Sequence, residues 1–139
     1  MISAPFPFIY PTKPHVRKHG PAGYKNYESY RDWLRDEFSF RCVFCLSREQ
    51  WWVGLSVWDI DHLMPQSLFP FGECLYENLL YVCRQCNLNK SDHLAPDPCE
   101  IAFGDCLIVQ DDGTISASNE AGELLIKTLP NSSDLSAIA

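Results

Sequence analysis

Cys42-Val-Phe-Cys45 and Cys83-Arg-Gln-Cys86 are two matched cysteine pairs, each with two residues between its members. Thiolates at this spacing present two sulfur atoms from one tight turn to a single ion, and two such turns complete a four-thiolate site. A site of this kind is structural, because it leaves no open position for water. The pattern predicts a zinc ion bound by Cys42, Cys45, Cys83 and Cys86, which would join the two ends of the segment between them.

The segment between the cysteine pairs reads as two strands with a long connection. Side-chain character alternates with period two in Val57-Trp-Asp59-Ile-Asp61, so a strand there places both aspartates on one face. A loop rich in proline, serine and glycine follows, and the chain returns as the apolar run Asn78-Leu-Leu-Tyr-Val-Cys83. We therefore predict a hairpin.

A short helix is predicted after this hairpin, from Arg84 to about Asp92. Asn87 and Lys90 are three residues apart, so they would occupy neighbouring positions on one face of that helix. This places an amide and an ammonium group close to the end of the second strand.

The polar residues of the segment occur in a fixed order: Asp61-His62, then Asn78, then Cys86-Asn87-x-x-Lys90. In type, order and spacing, residues 41–93 resemble the zinc-knotted HNH endonucleases. The resemblance implies a ββα-metal finger, in which a hairpin packs on a helix with a catalytic metal between them. His62 matches the first letter of the motif and Asn78 the second, while Asn87 stands where many relatives have the last histidine, which makes this an HNN variant.

The resemblance also assigns chemical roles. Phosphodiester hydrolysis needs an activated water and a positive charge beside the phosphate. Neutral histidine can accept the proton of the water, and carboxylate and amide oxygens suit a hard divalent ion. On this interpretation His62 is the general base, Asp61 and Asn87 hold the ion, and Asn78 fixes the loop and the orientation of His62. An asparagine ligand favours Mg²⁺ or Mn²⁺ over zinc or nickel.

Three nearby side chains are further candidates. Arg84 and Lys90 could bind substrate phosphates beside the metal, although a surface lysine is usually only solvated. Asp59 is either a structural partner of the metal ligands or an auxiliary ligand.

The function expected from the sequence is that of a metal-dependent HNH-type endonuclease acting on DNA, with RNA left open. The family implies inversion at phosphorus, with a 5′-phosphate and a 3′-hydroxyl as products. One alternative is a non-enzymatic zinc-stabilised module that binds nucleic acid or protein. Another is a toxin or phage-defence effector with a regulatory or immunity protein bound to its acidic surface. The oligomeric state is not predicted.

Composition fits one cytoplasmic domain. The chain has 139 residues, of which 46% are hydrophobic and 21% charged, values typical of globular proteins. Its apolar stretches are shorter than the roughly 18 residues of a membrane span, and the proline-studded start lacks a charged leader. Seven cysteines, an odd number, favour a reducing compartment. Cys74, Cys99 and Cys106 are predicted to be small buried hydrophobic residues.

The formal net charge of −7 is unevenly distributed. Residues 1–40 have six basic and four acidic side chains, whereas residues 94–139 have one basic and eight acidic side chains. A phosphate-facing surface could form from the basic residues of the first segment while the acidic tail lies elsewhere. The alternative is ordinary solvated surface. The candidates for the basic surface are Lys13, Arg17, Lys18 and Lys25, together with the arginines of residues 41–93.

Segments on either side of the cysteine region complete an α+β fold. Prolines make residues 1–23 an extended arm, and a helix is expected over residues 24–40. This helix has an apolar stripe that could stack on nucleobases, but core packing is expected for it. The stripe consists of Tyr24, Tyr27, Tyr30, Leu34 and Phe38.

The C-terminal part, residues 94–139, is expected to add a hairpin and a helix to the same single domain. The dipeptide Asp112-Gly113 between apolar runs is a strong hairpin signal. Asn119 can cap the final helix and Pro130 can end it.

Overall fold

The computed structural model describes residues 9–51, 58–91 and 93–130. These residues form a mixed α/β fold with two separate two-stranded antiparallel sheets. The predicted α+β class, with an N-terminal helix and a C-terminal hairpin and helix, is confirmed. The elements in chain order are α1 (Arg31–Glu37), β1 (Trp58–His62), β2 (Leu79–Cys83), α2 (Arg84–Lys90), β3 (Leu107–Val109), β4 (Ile115–Ala117) and α3 (Glu120–Thr128).

Strands β1 and β2, helix α2 and the four cysteines form one unit, which we call the finger (residues 41–51 and 58–90). Strand β1 pairs antiparallel with β2, so that Asp61 lies opposite Leu80. Trp58 and Ile60 are buried while Asp59 and Asp61 are half-buried, as the alternation predicts. Helix α2 starts directly after β2 and packs on both strands. The two aspartates therefore face α2.

The N-terminal helix is shorter than the predicted span of residues 24–40. A 3₁₀ turn at Tyr27–Tyr30 leads into α1, and Asn26 caps this turn by accepting a hydrogen bond from the backbone N–H of Glu28. After α1, Ser39 and Phe40 both have φ of 59°, which ends the helix. The sequence pattern does not reveal this, because neither residue favours the left-handed region.

Most of the apolar stripe of this segment packs into the core, as expected, but Tyr24 does not. Tyr30, Leu34 and Phe38 are buried. Tyr24, which precedes the capped turn, is 41% exposed. The stripe therefore contributes to stability, and its buried rings have no free face for a nucleobase.

The described part of the arm, residues 9–23, has no regular secondary structure but is bound to the body. The Tyr10 hydroxyl donates to the carbonyl of Phe44 at 2.8 Å. The backbone N–H of Gly104 donates to the carbonyl of Pro11 at 2.7 Å. A Cβ at position 104 would lie 2.5 Å from that oxygen, so only glycine permits this approach. The first eight residues of the predicted arm lie outside the described residues.

Glu37, at the end of α1, is the main anchor of the arm. Its side chain is buried, and its carboxylate accepts hydrogen bonds from His15 Nε2 at 2.7 Å and from the backbone N–H groups of Lys18 and His19. The Tyr76 hydroxyl adds a fourth hydrogen bond at 3.0 Å. Burial by itself would raise the pKa of Glu37, but these donors lower the pKa below its usual value. Glu37 is therefore an ionised, fully bonded carboxylate inside the protein.

The C-terminal layer has the predicted form. Strands β3 and β4 pair antiparallel, and Gly113 adopts φ of 89° in the turn between them. Asn119 caps α3 by accepting from the backbone N–H of Gly122 at 2.8 Å. Asn89 of α2 donates to two carbonyls at the end of α3, which ties this layer to the finger. Residues 131–139 lie outside the described residues.

The remaining cysteines are only partly as predicted. Cys106 is buried, but Cys74 and Cys99 are only half-buried. The thiol of Cys74 donates to the carbonyl of Lys25 at 3.2 Å near the surface, which gives it a polar role where an apolar one was expected. Among the described helices, none has the length and apolar character needed to cross a membrane.

Candidate metal centre and catalytic site

The four paired cysteines converge in the core of the finger. Their sulfur atoms all lie within 4.8 Å of one another, and all four residues are buried. Cys45 Sγ and Cys83 Sγ are 3.7 Å apart. Four buried sulfur atoms at such separations suit a tetrahedral ion with Zn–S bonds of about 2.3 Å. The described residues contain no other group of three or more histidine, cysteine, aspartate or glutamate side chains whose ligand atoms converge in this way.

Local backbone geometry positions each cysteine pair. In the first pair, the backbone N–H of Leu46 donates to the Cys42 carbonyl at 3.0 Å, and Leu46 adopts φ of 64° to close the turn. The N–H of Cys42 then donates to the Ser47 carbonyl at 2.8 Å. In the second pair, Cys83 caps α2, because its sulfur accepts from the N–H of Cys86 at 3.4 Å. Tight turns thus hold the sulfur atoms in place.

Thiol ionisation shows why a cation suits this cluster. Burial raises the pKa of Cys42 well above its usual value. Hydrogen bonds from Cys42, Cys45 and Cys86 lower the pKa of Cys83 instead. Burial thus opposes ionisation of Cys42, whereas the neighbouring thiols favour ionisation of Cys83. A divalent ion would allow all four sulfur atoms to be ionised at once, so the residues fit the predicted zinc.

Asp61 forms a buried ion pair with Lys90 of α2. The Lys90 Nζ lies 3.0 Å from Asp61 Oδ2 and 3.3 Å from Oδ1, and it also donates to the His62 carbonyl at 3.3 Å. The hydrogen bond is aligned on Oδ1, so in the described part of the chain the buried Oδ2 has no hydrogen-bond donor despite the nearby charge. Burial raises the pKa of Asp61, although Lys90 opposes this effect.

Asp59 forms a second set of contacts with the same helix. Arg84 Nη2 donates to Asp59 Oδ1 at 3.0 Å, and Asn87 Nδ2 donates to Asp59 Oδ2 at 3.1 Å. Because the amide nitrogen of Asn87 is used in this way, its Oδ1 is left as the side-chain oxygen that could bind a cation. Asp59 therefore orients the side chain of Asn87.

His62, the last residue of β1, is held from two sides. Its Nε2 lies 3.0 Å from the carbonyl oxygen of Glu73. Because a carbonyl can only accept, Nε2 carries the proton and the neutral ring has its lone pair on Nδ1. The ring of Tyr27 meets the imidazole edge-on, with centroids 4.8 Å apart. The histidine therefore has a defined tautomer and orientation.

Asn78 fixes the loop between β1 and β2. Its Oδ1 accepts from the backbone N–H of Met64 at 2.9 Å, and its Nδ2 donates to the carbonyls of Met64 and Gly72 at 3.1 and 3.0 Å. Asn78 is buried, and a Cβ at position 72 would lie 2.7 Å from its Nδ2. Asn78 thereby holds the segment that supplies the Glu73 carbonyl to His62.

The candidate phosphate-binding residues differ in availability. The Arg84 side chain is 53% exposed despite its pairing with Asp59. Lys90 is 5% exposed and its ammonium is engaged by Asp61, so it is not a surface cation as the sequence interpretation required. Arg17 of the predicted basic surface stacks between Phe38 and Tyr76 and donates to two backbone carbonyls, which gives it a structural role.

Sequence reasoning missed three contacts of this site: the Lys90 to Asp61 ion pair, the Glu73 carbonyl and the Tyr27 ring. The spacing of Asn87 and Lys90 placed both on one helix face, but not the partner that each would meet. No local signal links Tyr27 or Glu73 to His62, because the contacts join distant segments.

Comparisons with protein-family models, with curated proteins and with solved structures give no match for this chain. The HNH interpretation therefore depends on the order of the motif residues and on the geometry described above. The feature shown by the structure is the four-cysteine cluster that could hold a metal such as zinc.

Proposed function

We propose that this protein is a metal-dependent HNH-type endonuclease that hydrolyses phosphodiester bonds of DNA. The observation that carries the proposal is the placement of His62: its Nε2 lies 3.0 Å from the Glu73 carbonyl, an acceptor. In the neutral ring the lone pair would therefore be on Nδ1, where it can act as a base. His62 directly follows Asp61, on the strand that faces the helix bearing Asn87.

The residues have distinct roles in this proposal. His62 accepts the proton of the attacking water at Nδ1, while the Glu73 carbonyl and Tyr27 keep the ring in place. Asp61 would supply its buried Oδ2 and Asn87 its amide oxygen, which has no partner among the described residues, to hold a divalent ion. When bound, Mg²⁺ or Mn²⁺ would provide positive charge beside the phosphate.

The same two oxygens define how well the ion fits. One carboxylate and one amide are hard ligands of the kind that Mg²⁺ and Mn²⁺ prefer. The Lys90 ammonium already lies against the carboxylate and places a second positive charge there. We therefore expect weak ion binding, with millimolar metal needed for activity.

Arg84 is the residue of this site proposed to contact a substrate phosphate, since its guanidinium is half exposed beside Asn87. Inversion at phosphorus, with 5′-phosphate and 3′-hydroxyl products, is proposed from the HNH resemblance. Free thiols and a thiolate zinc site persist in a reducing compartment, so we propose a cytoplasmic location. A regulatory or immunity protein that binds the acidic C-terminal segment stays a prediction.

A second function, that of a zinc-stabilised binding module without catalysis, is favoured by one observation. Both proposed metal ligands already have protein partners, Asp61 with Lys90 and Asn87 with Asp59. Because Lys90 and Arg84 already balance the charges of Asp61 and Asp59, the cluster needs no ion to neutralise it. The same geometry would therefore serve a module that only displays its surface.

Plasmid nicking tests the proposal. The wild-type protein should nick supercoiled DNA with Mg²⁺ or Mn²⁺. Nicking should stop when EDTA removes that ion while zinc stays bound to the cysteines. His62→Ala should reduce the rate by about 10²- to 10⁴-fold, because general-base catalysis contributes on this scale. His93→Ala is the matched control, since His93 is hydrogen-bonded to Thr128 in the C-terminal layer and should not affect cleavage.

Two results would overturn the endonuclease proposal. Cleavage at the wild-type rate by His62→Ala would remove the assigned base. A folded, zinc-loaded protein that binds DNA but cuts neither DNA nor RNA under any divalent metal would support the binding module instead.

A further inference from the structure

A cleft of about 90 Å³ lies between the arm, the end of α1 and the first cysteine pair. Lys13 and His15 line it from the arm, Glu37 and Ser39 from the end of α1, and Arg41 from the chain just before Cys42. A single water needs about 10–15 Å³, so the cleft has room for a small polyatomic ion.

The residues that line this cleft have a positive net charge, although the net charge of the whole chain is negative. Lys13 and Arg41 contribute two positive charges and Glu37 one negative charge. The four hydrogen bonds to the Glu37 carboxylate already satisfy it. These bonds come from His15, Tyr76 and two backbone N–H groups, so neither Lys13 nor Arg41 is paired with Glu37. The lining keeps a net charge of +1, which favours an anion.

Arg41 carries the inference. It is half-buried, and within residues 9–51, 58–91 and 93–130 its guanidinium has no hydrogen bond or ion pair. A backbone bridge places Arg41 beside Arg48. The Arg41 guanidinium is therefore partly removed from water and lies near a like charge, and both effects are unfavourable for its positive charge. A guanidinium has five donors, and leaving them partly desolvated without acceptors is unfavourable.

We propose that this cleft binds a phosphate group, with Arg41 and Lys13 as its cationic contacts. The planar guanidinium presents a two-pronged donor set that matches phosphate oxygens, and Lys13 adds a mobile ammonium. Ser39, placed at the rim by its left-handed backbone, offers an exposed hydroxyl. The phosphate could belong to a nucleic-acid strand or be a free phosphate, and the proposal does not depend on the nuclease assignment.

A different role for Arg41 must be distinguished from this one. Cys42 also lines the cleft, and four thiolates with one Zn²⁺ have a formal charge of −2. Arg41 could serve to balance that charge. A variant that lost zinc would then also lose phosphate binding indirectly, so zinc content has to be measured in each variant.

Amide NMR titration of the full, zinc-loaded chain tests the proposal. One titration uses inorganic phosphate and a second uses a short DNA duplex. The resonances of Ser39 and its neighbours should shift in a saturable way. Arg41→Gln should weaken binding roughly tenfold or more, and Lys13→Gln by less, because the arm lysine is exposed. Lys25→Gln, an exposed lysine that does not line the cleft, is the matched control.

Binding of either probe supports the proposal. The probe that saturates at the lower concentration identifies the source of the phosphate. The proposal is overturned if neither probe shifts the cleft resonances, or if Arg41→Gln binds as the wild type does. It is also overturned if Arg41→Gln loses zinc in proportion to its loss of phosphate binding.

Discussion

The two candidate metal sites of the finger adjoin each other, since Cys86 and Asn87 are consecutive residues of α2. In the first site, four sulfur atoms converge within 4.8 Å. In the second, each aspartate is bound by side chains of α2: Asp61 by Lys90, and Asp59 by Arg84 and Asn87. The cysteine site is thus arranged around a central point, whereas the polar site is arranged as ion pairs between a strand and a helix.

This difference has a physical origin. Buried thiols have weak hydrogen bonds and gain little from one another, so four of them in one place indicate an ion. Carboxylates and cations satisfy each other directly, so a polar cluster can be stable without a ligand. Convergent sulfur atoms are therefore strong evidence of a metal, while paired carboxylates are weak evidence.

The largest expected effect concerns the cysteine site. Removal of zinc by a strong chelator, or the substitution Cys83→Ser, should unfold the finger, because structural zinc contributes about 10–16 kcal/mol in small domains. This exceeds or matches the whole stability of a typical domain, about 5–15 kcal/mol. Circular dichroism would follow the unfolding, and native mass spectrometry should show one zinc per folded chain.

Cys74→Ser is the matched control for that experiment, since Cys74 lies outside the cluster and a serine hydroxyl can still donate to the Lys25 carbonyl. It should retain both zinc and fold. A chain that stays folded without metal would contradict the structural role of the cluster.

The next largest effect is expected at the Asp61 to Lys90 pair. Lys90→Met should lower the free energy of unfolding by about 3 kcal/mol, because it leaves a buried carboxylate without its cation. Adding Asp61→Asn to that variant should restore part of the loss. Arg84→Met, at the more exposed pair with Asp59, should cost less than about 1 kcal/mol. Urea unfolding of the four proteins measures these differences, and equal costs for Lys90→Met and Arg84→Met would show that the two pairs do not differ as described.

A smaller stability effect, but a large effect on activity, is expected at Asn78. Asn78→Ala leaves the N–H of Met64 and two carbonyls without their partner, for a loss of about 2 kcal/mol. Asn119→Ala, which removes only a helix cap, should cost about 1 kcal/mol and leave DNA cleavage unchanged. If the two variants reduced cleavage equally, Asn78 would have no specific role in holding His62.

Local patterns predicted much of the finger. The cysteine spacing predicted the cluster, and period-two alternation predicted that Asp59 and Asp61 share a face. The Asn119 cap was also predicted, because a cap depends on neighbours within three residues. The end of α1 was not, since Ser39 and Phe40 adopt positive φ in spite of their residue types.

Contacts between distant segments could not be predicted in the same way. The arm is anchored by Glu37, which forms hydrogen bonds with residues about twenty positions away and with Tyr76. Whether Lys90 meets Asp61 or a substrate phosphate depends on how α2 is rotated on the β1 and β2 strands. Neither periodicity nor residue type specifies that rotation.

By itself the sequence determined which cysteines could hold a metal and the strand, turn and helix pattern of the finger, because spacing and periodicity are properties of neighbouring residues. Only the tertiary structure decided which charges are satisfied. It paired Lys90 with Asp61, placed the Glu73 carbonyl on His62, and left Arg41 without a partner among the described residues. The reason is physical. The sequence gives the type of each charged side chain, but its partner and its exposure to water depend on how distant segments pack.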